Sequence, residues 1–308
     1  MTSQIYSFAD KNIKFKFSEE QLKDYIETAF PEFSIEPGII NIEVNLSLIN
    51  STQFIELTSK FKSNNLTASH PESGLEYFCD SGSLYIKLRD AGVSELNSGK
   101  YNIYINKNSN ALRLVPDFLI QPTVLEILRM KNVFFFHSGT LSFKGLGVSF
   151  TGLSGAGKST LIYSLVKSGW KFLSDDLTLF NLNGDKLFSF GKDIKVPIDS
   201  LKLLGENSGN ILTGKKQIII SDNYLESINP GYLIFLEDRK NVPAISEVSG
   251  TGVLQKLLGS SIIPTFKDVN SENFQAINKL LDNYKGIYQL TLSNNLNEVK
   301  SLLEVTLG

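Results

Sequence analysis

At 308 residues, with 42% hydrophobic and 20% charged side chains, the chain has ordinary globular composition and the length of two domains, which sets aside disordered and fibrous classes. Thirty basic against thirty-two acidic residues leave a formal charge of -2, so no broad basic face is available and nucleic acid is not an expected partner. Cys79 is the one cysteine, which excludes an intrachain disulfide and reads as an unreactive thiol. The opening MTSQIYSFADKNIKFKF lacks the apolar core of a signal peptide, and no stretch reaches the ~18 apolar residues of a membrane span. A cytoplasmic protein with no membrane association is therefore expected.

Residues 1–115 read as short strands with one helix. The helix is predicted over 18–30, where Ser18 with Glu19 and Glu20 supplies a cap and first-turn acids, and Leu22, Tyr25, Ile26 and Phe30 recur at helical spacing. Alternating apolar runs predict strands at 39–48, 75–79, 84–88, 101–105 and 111–115, with a polar turn region over 63–72. A small α+β, mainly β, domain is expected here. It carries no catalytic set of residue types, and substrate recognition, assembly and scaffolding are the roles open to it.

After Pro116 the rhythm becomes that of an α/β domain, expected over 116–308. A helix is predicted over 123–130, then FFFHSGTLSF, a KGLG turn and a buried strand GVSFTG that leads into a glycine-rich loop. The next helix, 158–167, buries Leu161, Ile162, Leu165 and Val166 and stops at Gly169. A strand at 170–173 ends in Ser174, Asp175 and Asp176, and the Asn183-Gly184 pair between apolar runs predicts a tight hairpin. Further on come a strand at 232–236, helices at 252–258 and 271–284, a strand at 287–292 and a last helix over 295–304.

The segment Gly152, Leu153, Ser154, Gly155, Ala156, Gly157, Lys158, Ser159, Thr160 has the spacing G-x-x-x-x-G-K-S between a strand and a helix. Small residues let successive backbone N–H groups point at phosphate oxygens with the helix N-terminus behind them. Lys158 would reach the β and γ phosphates, and the Ser159 hydroxyl would take one place in the shell of a magnesium ion. ATP and Mg²⁺ are the expected cofactors.

Asp175 and Asp176, at the end of the next strand, fall at the edge of an open sheet where ligands bind. Two adjacent carboxylates repel unless a cation lies between them, so one can hold the metal while the other accepts a proton from an attacking hydroxyl. His137, after three phenylalanines, gains a role only if its strand lies beside the acids. His70 is assigned none. Lys215, Lys216 and Arg239 read as solvated surface before they read as phosphate-binding cations.

Taken in order, His137 in FHSGTL, the loop GLSGAGKST, the helix ending SGW and the sequence LSDD resemble the catalytic domain of HPr kinase/phosphorylase and its relatives, which are similar in fold to phosphoenolpyruvate carboxykinase. Those relatives include serine kinases of ribosomal peptides such as lasso-peptide precursors, and kinases of small hydroxyl compounds. The resemblance implies catalysis by Asp175 as base with Asp176, His137 and Lys158, magnesium held by Ser159 and Asp176, and a homo-oligomer. Thr160 stands where the HPr enzymes carry glutamate, and their EIRGLG-type motif after the aspartates is absent, so HPr itself is not the expected substrate. The expectation is a kinase acting on a serine of a peptide or protein, or on a small hydroxyl metabolite. A hydrolysing NTPase and a nucleotide sensor without phosphotransfer are the alternatives.

Overall fold

The computed structural model describes residues 2–31, 39–62, 65–153, 155–206, 214–220, 222–249, 252–260 and 267–308, so Ser154 of the predicted loop lies outside the described residues. It is a mixed α/β protein with several sheets, and the chain divides into two compact units, Met1–Asn132 with Pro264–Ser271, and Val133–Ile263 with Glu272–Gly308.

In the first unit the elements run β1 (Thr2–Phe8), β2 (Lys11–Phe17), α1 (Leu22–Ala29), β3 (Ile42–Ile49), α2 (Ser51–Thr58), β4 (Leu66–His70), β5 (Leu75–Asp80), β6 (Ser83–Leu88), β7 (Gly92–Asn97), β8 (Lys100–Asn106) and α3 (Gln121–Arg129). One sheet takes all eight strands in the order β1-β2-β3-β8-β7-β6-β5-β4. Only β3 is parallel to its neighbours, β2 and β8, and α1 makes the β2-to-β3 crossover that a parallel pair requires. Tyr6, Phe8, Phe15 and Phe30 form an aromatic cluster in its core, with the Phe8 and Phe30 rings 4.9 Å apart.

Several details differ from the expectations. Ser18 does not cap α1; its N–H donates to the Leu46 carbonyl at 3.0 Å, and the helix starts at Leu22 with no side-chain cap. The run 111–115 is not a strand. Both flanks of β8 are already paired, by β3 and β7, and the chain instead makes a 3₁₀ turn at Leu112–Leu114 and a π-helical turn at Pro116–Ile120 that bury Val115, Leu119 and Ile120. This turn and α3 pack within the first unit, with Gln121 Nε2 donating to the Ala29 carbonyl at 2.8 Å and the Thr123 hydroxyl 2.5 Å from that of Ser94. The division therefore falls after Asn132, beyond the expected boundary at 115.

The second unit contains β9 (Val133–Phe136), β10 (Gly139–Phe143), β11 (Leu146–Thr151), α4 (Lys158–Lys167), β12 (Lys171–Ser174), β13 (Thr178–Asn181), β14 (Leu187–Ser189), β15 (Asp193–Pro197), α5 (Ile198–Leu203), β16 (Lys215–Ile219), β17 (Ser227–Ile228), β18 (Pro230–Glu237), β19 (Ala244–Glu247) and α6 (Gly252–Ser260), then α7 (Lys267–Asn283), β20 (Gly286–Thr291) and α8 (Leu296–Leu307). The main sheet has the order β12-β10-β11-β18-β20-β19, with β11, β18 and β20 parallel and β10 antiparallel to both β11 and β12. Consequently β12 runs in the direction of β11 with β10 between them, and both end at one edge. Leu161, Ile162 and Leu165 of α4 share a buried core with Phe150, Ile234, Leu290 and Val299.

A second sheet, β17-β14-β13-β9, is antiparallel. The hairpin predicted at Asn183-Gly184 joins β13 to β14 through a wider loop than a two-residue turn, since Phe180 pairs with Leu187. Gly184 is required there: its φ is +66°, and a Cβ would come within 2.5 Å of the Leu280 Cα on α7. Among the described residues no helix is long and apolar enough to cross a membrane.

Candidate functional site

β11 is buried along its length and delivers the chain to the loop, where Thr151 Oγ1 donates to the His137 carbonyl at 2.9 Å. At Gly152 a Cβ would stand 3.0 Å from the Leu236 carbonyl oxygen, so a larger residue would push the loop off β18. Gly155 and Gly157 hold φ of +86° and +95°, conformations that side chains other than hydrogen rarely adopt. Ala156 donates its N–H to the Leu153 carbonyl at 3.1 Å, and the Leu153 side chain is 84% exposed. Among the described residues no side chain caps α4, so the N–H groups of its first turn remain for water or an anionic ligand.

Lys158 opens α4 and is 7% exposed. Its ammonium lies 2.8 Å from Asp176 Oδ1 and 3.4 Å from Asp175 Oδ1. The Ser159 hydroxyl donates to Asp175 Oδ1 at 3.2 Å, whereas Thr160 turns to the Ser200 hydroxyl at 2.8 Å and so faces α5 rather than the acids.

The two carboxylates differ in setting. Asp175 is 1% exposed and its Oδ2 is buried with no hydrogen-bond partner among the described residues. Burial pushes its pKa above the usual carboxylate range, against the pull of Lys158. Asp176 is 43% exposed; burial raises its pKa, but the Lys158 ammonium, its hydrogen bond, and the charges of His137 and Lys215 together outweigh that and hold it below the usual value. Asp176 also sits at φ +65°, in a three-residue turn closed by the Leu177 N–H on the Asp175 carbonyl at 2.8 Å. Such turns are rare and strained, and they cluster where geometry serves chemistry.

β9 lies beside β13, the strand that follows the acids, with Phe136 opposite Thr178, and not beside β12, the strand that ends in them, so the condition set for His137 is not met by strand pairing. Burial, followed by the Lys158 charge, lowers the pKa of the His137 ring against the opposing pull of Asp176. Lys215 on β16 is exposed, and its charge is the smallest of the influences on His137 and Asp176. Arg239, just past β18, donates from Nη1 to Asn294 Oδ1 at 3.1 Å, and its Nη2 lies 2.8 Å from where a Cβ on Gly157 would be. Lys216 has no contact with the acids among the interactions described; its charge acts on Glu206.

Two features escaped sequence reasoning. Gly139, the first residue of β10, leaves room where a Cβ would overlap Ile162 Cδ1 and stand 3.3 Å from Asp175 Oδ1. Beneath the acids runs a buried chain of hydroxyls. Thr178 Oγ1 bonds those of Ser138, Ser174 and Thr140 at 2.7, 2.7 and 2.8 Å; Thr140 continues to Ser149 at 3.0 Å, and Tyr284 donates to Ser149 at 2.9 Å. Small hydroxyl residues inside the apolar runs GTLSF and GVSFTG were the only visible sign of it.

Chemically, the site sets one ammonium against two acids of unequal exposure, beside a helix start whose N–H groups no side chain caps among the described residues. No group of three or more His, Cys, Asp or Glu side chains suited to a metal occurs among the described residues, so a cation here would draw most of its oxygens from a ligand. Ser159 and the unpartnered Oδ2 of Asp175 fit that arrangement.

No family model matches the chain, and no curated protein matches it. Among solved structures it is similar to the HPr(Ser) kinase/phosphatase from Coxiella burnetii, with 15% sequence identity over 56% of this chain and 95% of that one, at a TM-score of 0.30. A likeness of that size carries no argument about this chain, and its chemistry is argued from the site alone.

Proposed function

We propose that the protein is a kinase that moves the γ-phosphate of ATP onto a hydroxyl, with a serine of a peptide or protein as acceptor. The observation that carries this reading is the contact of Lys158, behind the glycine loop, with both Asp175 and Asp176. A phosphate loop alone would serve hydrolysis or sensing equally well. A half-exposed carboxylate beside it gives an incoming alcohol a proton acceptor.

Magnesium bound with ATP supplies charge neutralisation for the transferring group. Ser159 and Asp175 are the residues that would hold it, because they already touch each other and Asp175 keeps an oxygen free. Asp176 then acts as base, reversing the division of roles that the resemblance implied. Its lowered pKa keeps it ionised at neutral pH, and its exposure lets an acceptor reach it. The acceptor oxygen forms a bond to the γ-phosphorus, its proton passes to Asp176, and the bond to the β-γ bridging oxygen breaks, with ADP leaving. Lys158 and the loop amides stabilise the charge on the phosphoryl oxygens. His137 lies close enough to Asp176 for their charges to interact, and so adds to the electrostatics around the assigned base.

The test is incubation with γ-labelled ATP, magnesium and seryl peptides. Label on the acceptor is expected, and Asp176→Asn should slow transfer by roughly 10²- to 10⁴-fold with ATP affinity nearly unchanged. Release of free phosphate alone would favour hydrolysis, and undiminished transfer in Asp176→Asn would remove the assigned base.

A further inference from the structure

At one end of the first unit's sheet two tight turns lie next to each other, because β5 and β7 both run antiparallel to β6 between them. One joins Asp80 to Ser83 through Ser81 and Gly82, at φ +47° and +79°; the other joins Asn97 to Lys100 through Ser98 and Gly99, the glycine at +87°. The contact of the Thr123 and Ser94 hydroxyls at 2.5 Å ties α3 to the same sheet, and the end of that helix, Met130 and Lys131, comes down beside the turns. A cleft of about 360 Å³ opens between them, lined by Gly82, Asn97, Ser98, Gly99, Tyr101, Met130 and Lys131. Its size falls within the ~300–1,000 Å³ of small-molecule sites. A Cβ on Gly82 or Gly99 would meet nothing within 4 Å, so both turn glycines face open space.

The polar groups of this cleft have no partners within the protein. The Asn97 carboxamide, the Ser98 hydroxyl and the Lys131 ammonium take part in no side-chain hydrogen bond or ion pair among the described residues. Tyr101 is 3% exposed, yet its hydroxyl is neither bonded nor fully enclosed, so the ring is buried while the oxygen stays open. A buried tyrosine usually finds a partner for that group. All four side chains can donate, and no acidic side chain lines the cleft. Asp80, in the neighbouring turn, receives the Ser81 hydroxyl at 3.2 Å and is not part of the lining. The full charge of Lys131 exceeds the roughly half charge at the carbonyl end of α3, which it follows in the chain. The lining therefore favours an oxyanion over a cation, while Met130 and the Tyr101 ring offer apolar surface to the rest of the molecule.

We propose that this cleft binds a small organic anion, with its carboxylate or phosphate group on Lys131, Asn97 and Ser98, its apolar part against Met130, and the Tyr101 hydroxyl as a further donor. Every lining residue belongs to the first unit, so the site stands or falls independently of the kinase reading. Ligand-observed NMR titration of the full chain with benzoate, phenyl phosphate and neutral benzamide tests it. At least one of the two anions should bind, which tells the headgroup the cleft takes, and benzamide should bind about tenfold more weakly or less. Lys131→Met should weaken the anion by roughly tenfold or more, as for loss of a hydrogen bond from a charged group, and Tyr101→Phe by a few-fold. Melting temperatures near that of the wild type would show that both variants fold. Lys158→Met is the control for an anion held at the glycine loop, and should leave this binding unchanged. Affinity kept in Lys131→Met, or lost in Lys158→Met instead, would overturn the site. Benzamide binding as tightly as the anions would overturn the class of ligand, and no probe bound at millimolar concentration would overturn the proposal altogether.

Discussion

The Ser138 hydroxyl donates to Thr178 Oγ1 across 2.7 Å, and so joins the residue that follows His137 to the residue two places beyond Asp176. Thr178 also bonds Ser174, immediately before Asp175. The strained turn carrying both acids is therefore pinned from both of its ends through one buried hydroxyl. Replacing it by the isosteric Thr178→Val leaves Ser138 and Ser174 without this partner, and each buried orphan costs about 1–3 kcal/mol. Urea unfolding should show a loss of that order, with Thr178→Ser restoring most of it; a valine variant as stable as the wild type would mean that the hydroxyl chain holds nothing.

Asp175 is expected to weaken the fold at neutral pH. Its folded pKa is raised by burial, so the native state binds that proton more tightly than the unfolded chain. The resulting stability is fully present below the unfolded value of ~3.9 and is lost as pH rises through the raised folded value. Asp175→Asn removes the buried charge, and Lys158 still has Asp176 at 2.8 Å. The variant should melt a few degrees higher at pH 8, where ~1 kcal/mol corresponds to about 2–4 °C, with the difference shrinking as pH falls below 4. A lower melting temperature at pH 8 would show that the contacts from Lys158 and Ser159 outweigh the burial.

Gly139→Ala puts a methyl group into Ile162 and close to Asp175. Overpacking of this kind costs about 1–3 kcal/mol, and the displaced groups are a core residue of α4 and a site carboxylate. Thermal denaturation should register the first effect. Phosphotransfer should suffer more than ATP affinity, which a comparison of kcat with the ATP dissociation constant would reveal; equal losses in both would indicate general damage to the loop.

Lys158→Met removes the ammonium from between two carboxylates. ATP turnover should drop by roughly 10²- to 10³-fold, as when one positioned donor to a developing anion is lost. The same variant leaves buried Asp175 facing Asp176 without a cation, so it should be least stable above neutral pH and recover in acid. A variant with full turnover would argue that phosphates bind elsewhere.

Much of the fold was present in local patterns, including some that the predicted elements passed over. Ile13, Phe15 and Phe17 alternate with Lys14 and Lys16 in β2, yet the turn before it uses Ala9 and Asp10 at positive φ with no glycine to announce a hairpin. Asn50 and Gln53 make a reciprocal cap for α2, readable three residues apart. The segment 111–115 was apolar enough for a strand, but strand formation needs a free edge, and β8 offers none.

By itself the sequence determined the succession of strand, glycine-rich loop and helix at β11 and α4, since the apolar run, the glycine spacing and the helical pattern are all local. It also determined that two acids end the strand that follows. Only the tertiary structure decided that Asp175 is buried while Asp176 is exposed, that Arg239 closes on Gly157, and that Gly139 and Thr178 support the acids. The reason is physical: burial, charge proximity and close packing are set by partners distant in the chain, and one residue's identity does not encode which partner the fold brings to it.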